Sequence, residues 1–291
     1  MLSVPSKVFL LGEYAVLADA PAWVTAVSPR FELRDASGAN TRFHPESPAG
    51  KLLSKRGMTE IAGSFFDPWE SRGGFGGSTA EFAFVAHRAG IRSPVEAWRA
   101  YRELSRGENP ARRPSGADLI AQWHGGTVEW DPKTEKVMDL SEAICDLPIL
   151  VFSATHLPNR KTVTHSHLEG LSNASLSFAS LVPAFERGRD GLRARDWSEI
   201  GHAFSAYADS LAHLGLEAPA VRNERLSLSR QPGVIGAKGC GSLQTDAMLV
   251  VVESLEAPET GRLIDFASAE CGFRLLSRGL TREPGIREES R

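Results

Sequence analysis

Residues 4–17 read Val4-Pro5-Ser6-Lys7-Val8-Phe9-Leu10-Leu11-Gly12-Glu13-Tyr14-Ala15-Val16-Leu17. Val8–Leu11 and Tyr14–Leu17 are apolar runs of strand length on either side of Gly12-Glu13. The stretch therefore predicts two short strands around a turn. Lys7 enters the first run, where a lone lysine is usually a strand-edge charge. The same stretch has the outline of a signal peptide until Glu13 interrupts its apolar run. No segment approaches the roughly 20 apolar residues that span a bilayer. The expectation is a soluble, cytoplasmic protein.

Outward from there, Arg34–Glu70 is rich in Ser, Gly, Asn and Pro and predicts strands and loops. Arg72-Gly73-Gly74-Phe75-Gly76-Gly77-Ser78 leads into a helix through Thr79–Ala86, with Gly90 at its stop. Ser93-Pro94-Val95-Glu96 is a capping box with proline at the first helical position, predicting a helix from Pro94 to about Ser105. Pro148–Phe152 is a continuous apolar run and reads as a buried strand. A domain boundary falls near it, dividing the chain into residues 1–150 and 151–291. A polar loop from His156 to His167 follows. Asp196-Trp197-Ser198-Glu199 then opens a helix that Gly215 ends, a glycine-bearing loop runs from Gly233 to Gly241, and Ala247–Val252 is a strand.

The 291 residues are 42% hydrophobic and 24% charged, an ordinary globular balance that excludes a disordered tail, a coiled coil or a collagen-like repeat. Lys and Arg number 33 against 36 Asp and Glu, so bulk charge gives no support to nucleic-acid binding. Cys145, Cys240 and Cys271 are far apart, an odd count that builds no disulfide framework and fits a reducing compartment.

Four segments carry candidate chemistry. The glycines of residues 73–77 let backbone N–H groups turn around an anion, and the following helix N-terminus adds positive charge. Ser78 offers a hydroxyl to a metal ion held by phosphates. Alone, such a loop reads more readily as a turn that caps a helix, and it lacks the lysine that ends a Walker loop. Pro114-Ser115-Gly116-Ala117-Asp118 places a carboxylate past a tight turn, either a proton acceptor or an N-cap for Leu119–Gln122. Gly236-Ala237-Lys238-Gly239-Cys240-Gly241 sets a lysine among glycines, and Val4–Lys7 sets another at the start of a strand.

In this order the segments resemble the motifs of the GHMP small-molecule kinases over nearly the whole chain. The most specific is the first: Lys7, Gly12, Glu13 and Tyr14 are similar to the opening of the mevalonate-pathway members, where PGK is followed by GE(H/Y)AV. The resemblance implies an α+β fold of two domains, with a ribosomal protein S5-like N-terminal half and a ferredoxin-like C-terminal half enclosing the cleft. It implies a cytoplasmic phosphotransferase that uses ATP and Mg²⁺. Gly74, Gly76, Gly77, Ser78 and Thr79 would cradle the phosphates, and Ser78 with Glu103 would hold the metal, Glu108 being the alternative to Glu103. Lys7 would stabilise the transferring group while Asp118 orients the acceptor or takes its proton.

Tyr14, Arg72 and Asp246 each match the phosphomevalonate form of their motif, so the resemblance points to 5-phosphomevalonate as acceptor, with mevalonate as the alternative. Glu13, Tyr14, Ser115, Arg160, Lys161 and Lys238 are the candidate acceptor contacts, with Arg112 and Arg113 as further cations for a phosphate. A homodimer is compatible with all of this; a membrane or nucleic-acid partner is not expected. The sequence also departs from the pattern. Gly77 stands where a serine is usual, and Ser242-Leu243-Gln244-Thr245 replaces a glycine-dominated run. Only about 60 residues separate Gly12 from Gly74, a short interval for the family. These departures keep a second class open, a metabolite-binding protein of the same fold without catalysis.

Overall fold

Ten consecutive residues, Leu2–Leu11, form strand β1, and all ten are buried. Such a strand needs cover on both faces. In the computed structural model, which describes residues 1–105, 114–154, 157 and 178–289, helices supply that cover on one face. After β1 come β2 (Ala22–Arg34), β3 (Asn40–Thr41), α1 (Pro48–Lys55), β4 (Ile61–Ala62) and β5 (Ser64–Phe66). Next are α2 (Gly77–Arg88), α3 (Pro94–Leu104), α4 (Ala117–His124), β6 (Thr127–Asp131), β7 (Lys136–Asp139) and β8 (Ile149–Ser153). Then follow α5 (Val182–Ala194), α6 (Trp197–His213), α7 (Pro219–Ser229), β9 (Val234–Cys240) and β10 (Ala247–Val252). The last elements are α8 (Pro258–Cys271), β11 (Arg274–Arg278) and β12 (Arg287–Glu288).

Three antiparallel sheets result: β12-β1-β2-β6-β7 with β5 also on β2, β11-β8-β10-β9, and the small pair β3-β4. Helices α2 and α4 pack on β1, and α6 and α7 pack on β9. This is the α+β architecture expected. Alternation in β8 divides the core: Ile149 and Val151 join a large cluster with Trp23, Phe84, Ile120, Phe204 and Leu249. Leu150 and Phe152 face a smaller one with Met248, Leu263 and Phe273. The C-terminal residues return to the first sheet. Gly126 N–H donates to Glu283 O at 2.7 Å, Glu289 N–H to Met1 O at 2.8 Å, and Leu2 pairs with Glu288. Among the described residues no helix is long and apolar enough to cross a membrane.

Both capping boxes start helices. Ser93 Oγ accepts the Glu96 N–H at 3.4 Å, and Asp196 Oδ1 accepts the Glu199 N–H at 3.1 Å. Three expectations need correction. Tyr14–Leu17 is no strand: Gly12 at φ 98° and Tyr14 at φ 62° turn the chain, and Ala15–Ala18 forms one 3₁₀ turn. The segment Gly233–Gly241 is mostly the strand β9. Gly236 lies so close to α6 that a Cβ there would sit 1.9 Å from Gly201 O, so glycine serves packing, not looping. Within Arg34–Glu70 lies a helix, α1, capped by Ser47 Oγ, which accepts the Gly50 N–H at 3.1 Å. Its signal, Ser47 followed by Pro48 at the first helical position, was present but short.

Candidate active site

Lys7 sits in β1 opposite Ala26 and is 4% exposed. Its ammonium lies 3.1 Å from Asp118 Oδ2. Asp118 occupies the first turn of α4, whose N-cap is Gly116 at φ 70°, so its carboxylate does not serve as the cap. Trp98 Nε1 donates to Ser115 O at 2.7 Å and pins this turn. Burial alone would push the Lys7 pKa down. Asp118, hydrogen-bonded to it, together with the negative charge of Asp246, outweighs that and holds the pKa above the ordinary lysine value.

The glycine loop runs beside this pair. Gly73, Gly74 and Gly76 have φ of 79°, 84° and 95°. A Cβ on Gly74 would meet Asp246 Cγ at 2.2 Å, and one on Gly76 would meet Gln122 Nε2 at 2.7 Å. Phe75 is buried and stacks on Trp69 with centroids 3.8 Å apart, while its carbonyl accepts the Lys7 N–H at 3.2 Å. Helix α2 begins at Gly77, so its first-turn N–H groups and its dipole meet the cavity edge. Ser78 is exposed and lines that cavity. Thr79 lines it too, but its hydroxyl donates to Gln122 Oε1 at 2.5 Å, with Gly76 O 3.0 Å away.

The cavity encloses about 510 Å³. Lys7, Glu13, Tyr14, Asp67, Gly74, Gly76, Gly77, Ser78, Glu81, Tyr101, Ser115, Asp118 and Asp246 are among its walls. Glu81 was not foreseen, although it lies three residues after Ser78 on the same face of the predicted helix. Burial, with the charge of Asp67 added, pushes its pKa up to about 7.

At the other wall, Lys238 is 0% exposed and does not line the cavity. Its ammonium is bound to the Glu13 carboxylate, with further contacts to Gly239 O at 2.7 Å and Phe9 O at 3.4 Å. Gln244 Nε2 donates to Glu13 Oε1 at 3.1 Å, and Leu243 N–H to the Tyr14 hydroxyl at 2.7 Å. Leu243 and Gln244 hold φ of 50° and 64°, a left-handed backbone where glycine would be at ease. Glu13 Oε2 and Gln244 Oε1 are buried without a hydrogen-bond partner among the described residues. Cys240 Sγ accepts the Phe9 N–H at 3.1 Å, and burial pushes its thiol up to about 11.

The structure thus gathers Lys7, Asp118, the glycine loop, Ser78, Thr79, Glu13, Tyr14 and Ser115 around one cavity. Glu103 is not among them; it is exposed on α3 and pairs with Lys55 at 3.1 Å. Arg72 is exposed and pairs with Glu70 at 3.1 Å. Glu108, Arg112, Arg113, Arg160 and Lys161 lie outside the described residues. Among the described lining residues Lys7 is the only lysine or arginine, against Glu13, Asp67, Glu81, Asp118 and Asp246. Among the described residues, no three His, Cys, Asp or Glu side chains gather as a metal-ligand set.

No family model matches the chain, and no curated protein matches it in sequence. Solved structures do match in shape. Galactokinase of Lactococcus lactis, solved with galactose, is 12% identical, with 98% of this chain and 94% of that one covered at a TM-score of 0.68. Mevalonate kinase of Methanococcus jannaschii is 14% identical, with 97% and 98% covered at 0.69. Phosphomevalonate kinase of Streptococcus pneumoniae is 16% identical, with 97% and 100% covered at 0.67. At these identities the likeness is one of architecture, and it spans nearly all of the described chain: this protein has the fold of the GHMP kinases.

Proposed function

We propose that this protein is an ATP-dependent small-molecule kinase that transfers the γ-phosphoryl group to an acceptor held beside Lys7 and Asp118. The observation that carries this reading is the 3.1 Å Lys7–Asp118 pair on the wall of a cavity edged by a glycine loop and a helix N-terminus. Phosphoryl transfer needs little covalent help, since positioning and charge neutralisation supply most of the rate. Backbone N–H groups of residues 74–79 cradle phosphate oxygens, Lys7 neutralises charge on the transferring group, and Asp118 orients the acceptor or takes its proton. The other donors at this edge are oxygens, the Ser78 hydroxyl and the carboxylates of Glu81 and Asp67, which is the chemistry Mg²⁺ takes alongside substrate phosphates. We assign Ser78 and Glu81 to the metal, because Glu103 does not line the cavity. Bound Mg²⁺ would neutralise charge on the phosphates.

For the acceptor, 5-phosphomevalonate is the first reading, supported by Tyr14, Arg72 and Asp246 as motif matches. Mevalonate is the second, favoured by the described lining, where Lys7 faces five carboxylates. A phosphate dianion taken from water needs several charge-assisted hydrogen bonds to offset its desolvation. The test is ADP release with 5-phosphomevalonate, mevalonate, galactose and homoserine, beside the shift of Tm on adding MgATP. Turnover fastest with 5-phosphomevalonate supports the first reading, and turnover fastest with mevalonate supports the second. Silence on all four, with no Tm shift at millimolar MgATP, overturns the kinase reading in favour of a metabolite-binding protein.

A further inference from the structure

Gln122 lies on α4 one helical turn after Asp118, on the same face, and is 0% exposed. Its Nε2 donates to Pro5 O at 2.9 Å and to Gly76 O at 3.1 Å, and its Oε1 accepts the Thr79 hydroxyl at 2.5 Å. The partners belong to three other elements: β1 two residues before Lys7, the glycine loop, and the first turn of α2 next to Ser78. We propose that Gln122 is a positioning residue for phosphoryl transfer, a brace that sets the glycine loop at a fixed distance from Lys7 and Asp118. The kinetic part of this proposal rests on the kinase reading above; the brace itself does not.

The chemistry of the amide singles out glutamine. Two carbonyl oxygens can only accept, so the NH₂ must face them, and the hydroxyl proton of Thr79 then meets the amide oxygen. A glutamate in this place loses both donors, and a methionine loses all three bonds while keeping the volume. The packing is equally specific, because a Cβ on Gly76 would meet Nε2 at 2.7 Å. Other ties survive without Gln122. Lys7 N–H still bonds Phe75 O, and Phe75 still stacks on Trp69, so the loop stays attached to β1 but is free to shift relative to α4. Misplacement by about 1 Å in such a site costs roughly 100-fold in rate.

The experiment compares wild type with Gln122→Met, Gln122→Glu, Thr79→Val and Thr79→Ser. It reads amide hydrogen exchange of the peptide covering residues 73–79, and kcat and KM with MgATP and the four acceptors above. Both Gln122 variants should speed exchange in that peptide about 10-fold and lower kcat about 30- to 100-fold, with acceptor KM changed less than about 3-fold. Thr79→Val should move both in the same direction by less, and Thr79→Ser should restore them. Unchanged exchange in Gln122→Met overturns the brace, and so does a loss confined to KM or a kcat equal to wild type. Should the Gln122 variants not fold, the Thr79 pair decides, since it removes and restores one bond. Should wild type release no ADP with any acceptor, the kinase reading fails and the exchange rates alone judge the brace.

Discussion

The backbone N–H of Leu243 donates to the phenolic oxygen of Tyr14 across 2.7 Å, tying the loop after β9 to the turn after β1. Both residues sit at positive φ, 50° and 62°, and each helps to hold the other there.

Tyr14→Phe removes that oxygen, and with it the hydrogen bond to the Ser242 side chain. A partly buried N–H left without its acceptor costs about 1 kcal/mol or more, so the unfolding free energy in urea should fall by at least that amount. The cavity wall formed by Ser242 should shift with the loop, raising acceptor KM while ATP KM stays the same. A variant as stable as wild type, with unchanged KM, would show that the bond is incidental.

Asp118→Asn should lower turnover by at least about 100-fold, the usual scale for losing an acid–base or orienting group. It also leaves the Lys7 ammonium buried without its carboxylate, so Tm at pH 7 should drop. The sign of the pH response follows. In wild type the raised Lys7 pKa gives stability that is full below the unfolded lysine value and is lost as pH climbs from there through the folded one. In the variant, burial with less compensation depresses that pKa, so stability rises as pH climbs and the ammonium discharges. Tm measured at pH 7 and pH 9.5 checks it.

Ser78→Ala and Glu103→Ala separate two sites for the metal. Ser78→Ala should weaken MgATP binding about 10-fold or more, read by calorimetry, with ATP binding in EDTA little changed. Glu103→Ala removes only an exposed pair with Lys55 and should leave MgATP affinity and stability within about 0.5 kcal/mol of wild type. A large loss of MgATP binding in Glu103→Ala alone would return the metal to α3.

Glu81→Gln addresses the carboxyl whose pKa stands at about 7. Between the unfolded glutamate value and pH 7 the native state holds a proton that the unfolded chain has released. Wild-type stability contributed by this group is therefore greatest at low pH and is lost as pH rises through 7. The variant carries no such burden, so its Tm should exceed that of wild type at pH 8 and the advantage should shrink toward pH 5. Equal Tm values across this range would mean that Glu81 ionises freely beside Asp67.

Much of this was legible because motif chemistry is local. Lys7, the glycine loop and Asp118 are each defined within a few residues, and their gathering followed from the family resemblance. The capping boxes at Ser93 and Asp196 worked for the same reason. What escaped depended on distant pairings. Nothing near Lys238 says that Glu13 will consume its charge, so it read as an acceptor contact. Glu103 lay on a helix, as expected, but on an exposed part of it, and helical periodicity around Arg102 and Glu103 did not reveal which face the cavity would meet. Gln122 looked like the end of a capped helix because its three partners come from β1, the glycine loop and α2. The glycines of β9 read as a loop because their causes, α6 against Gly236 and Gln244 against Gly239, are invisible along the chain.

The pairing of Leu2 with Glu288 orders events during synthesis. The ribosome makes β1 well before the segment that flanks its outer edge. Until residues 283–289 emerge, Gly126 N–H lacks the Glu283 carbonyl, and Arg30 lacks the carbonyls of Pro284 and Gly285 that it holds at 2.6 and 2.7 Å. The first half of the nascent chain therefore waits, with a sheet edge uncovered, for the second half to be translated. A translational pause before residue 283 would prolong the period in which that edge stands uncovered.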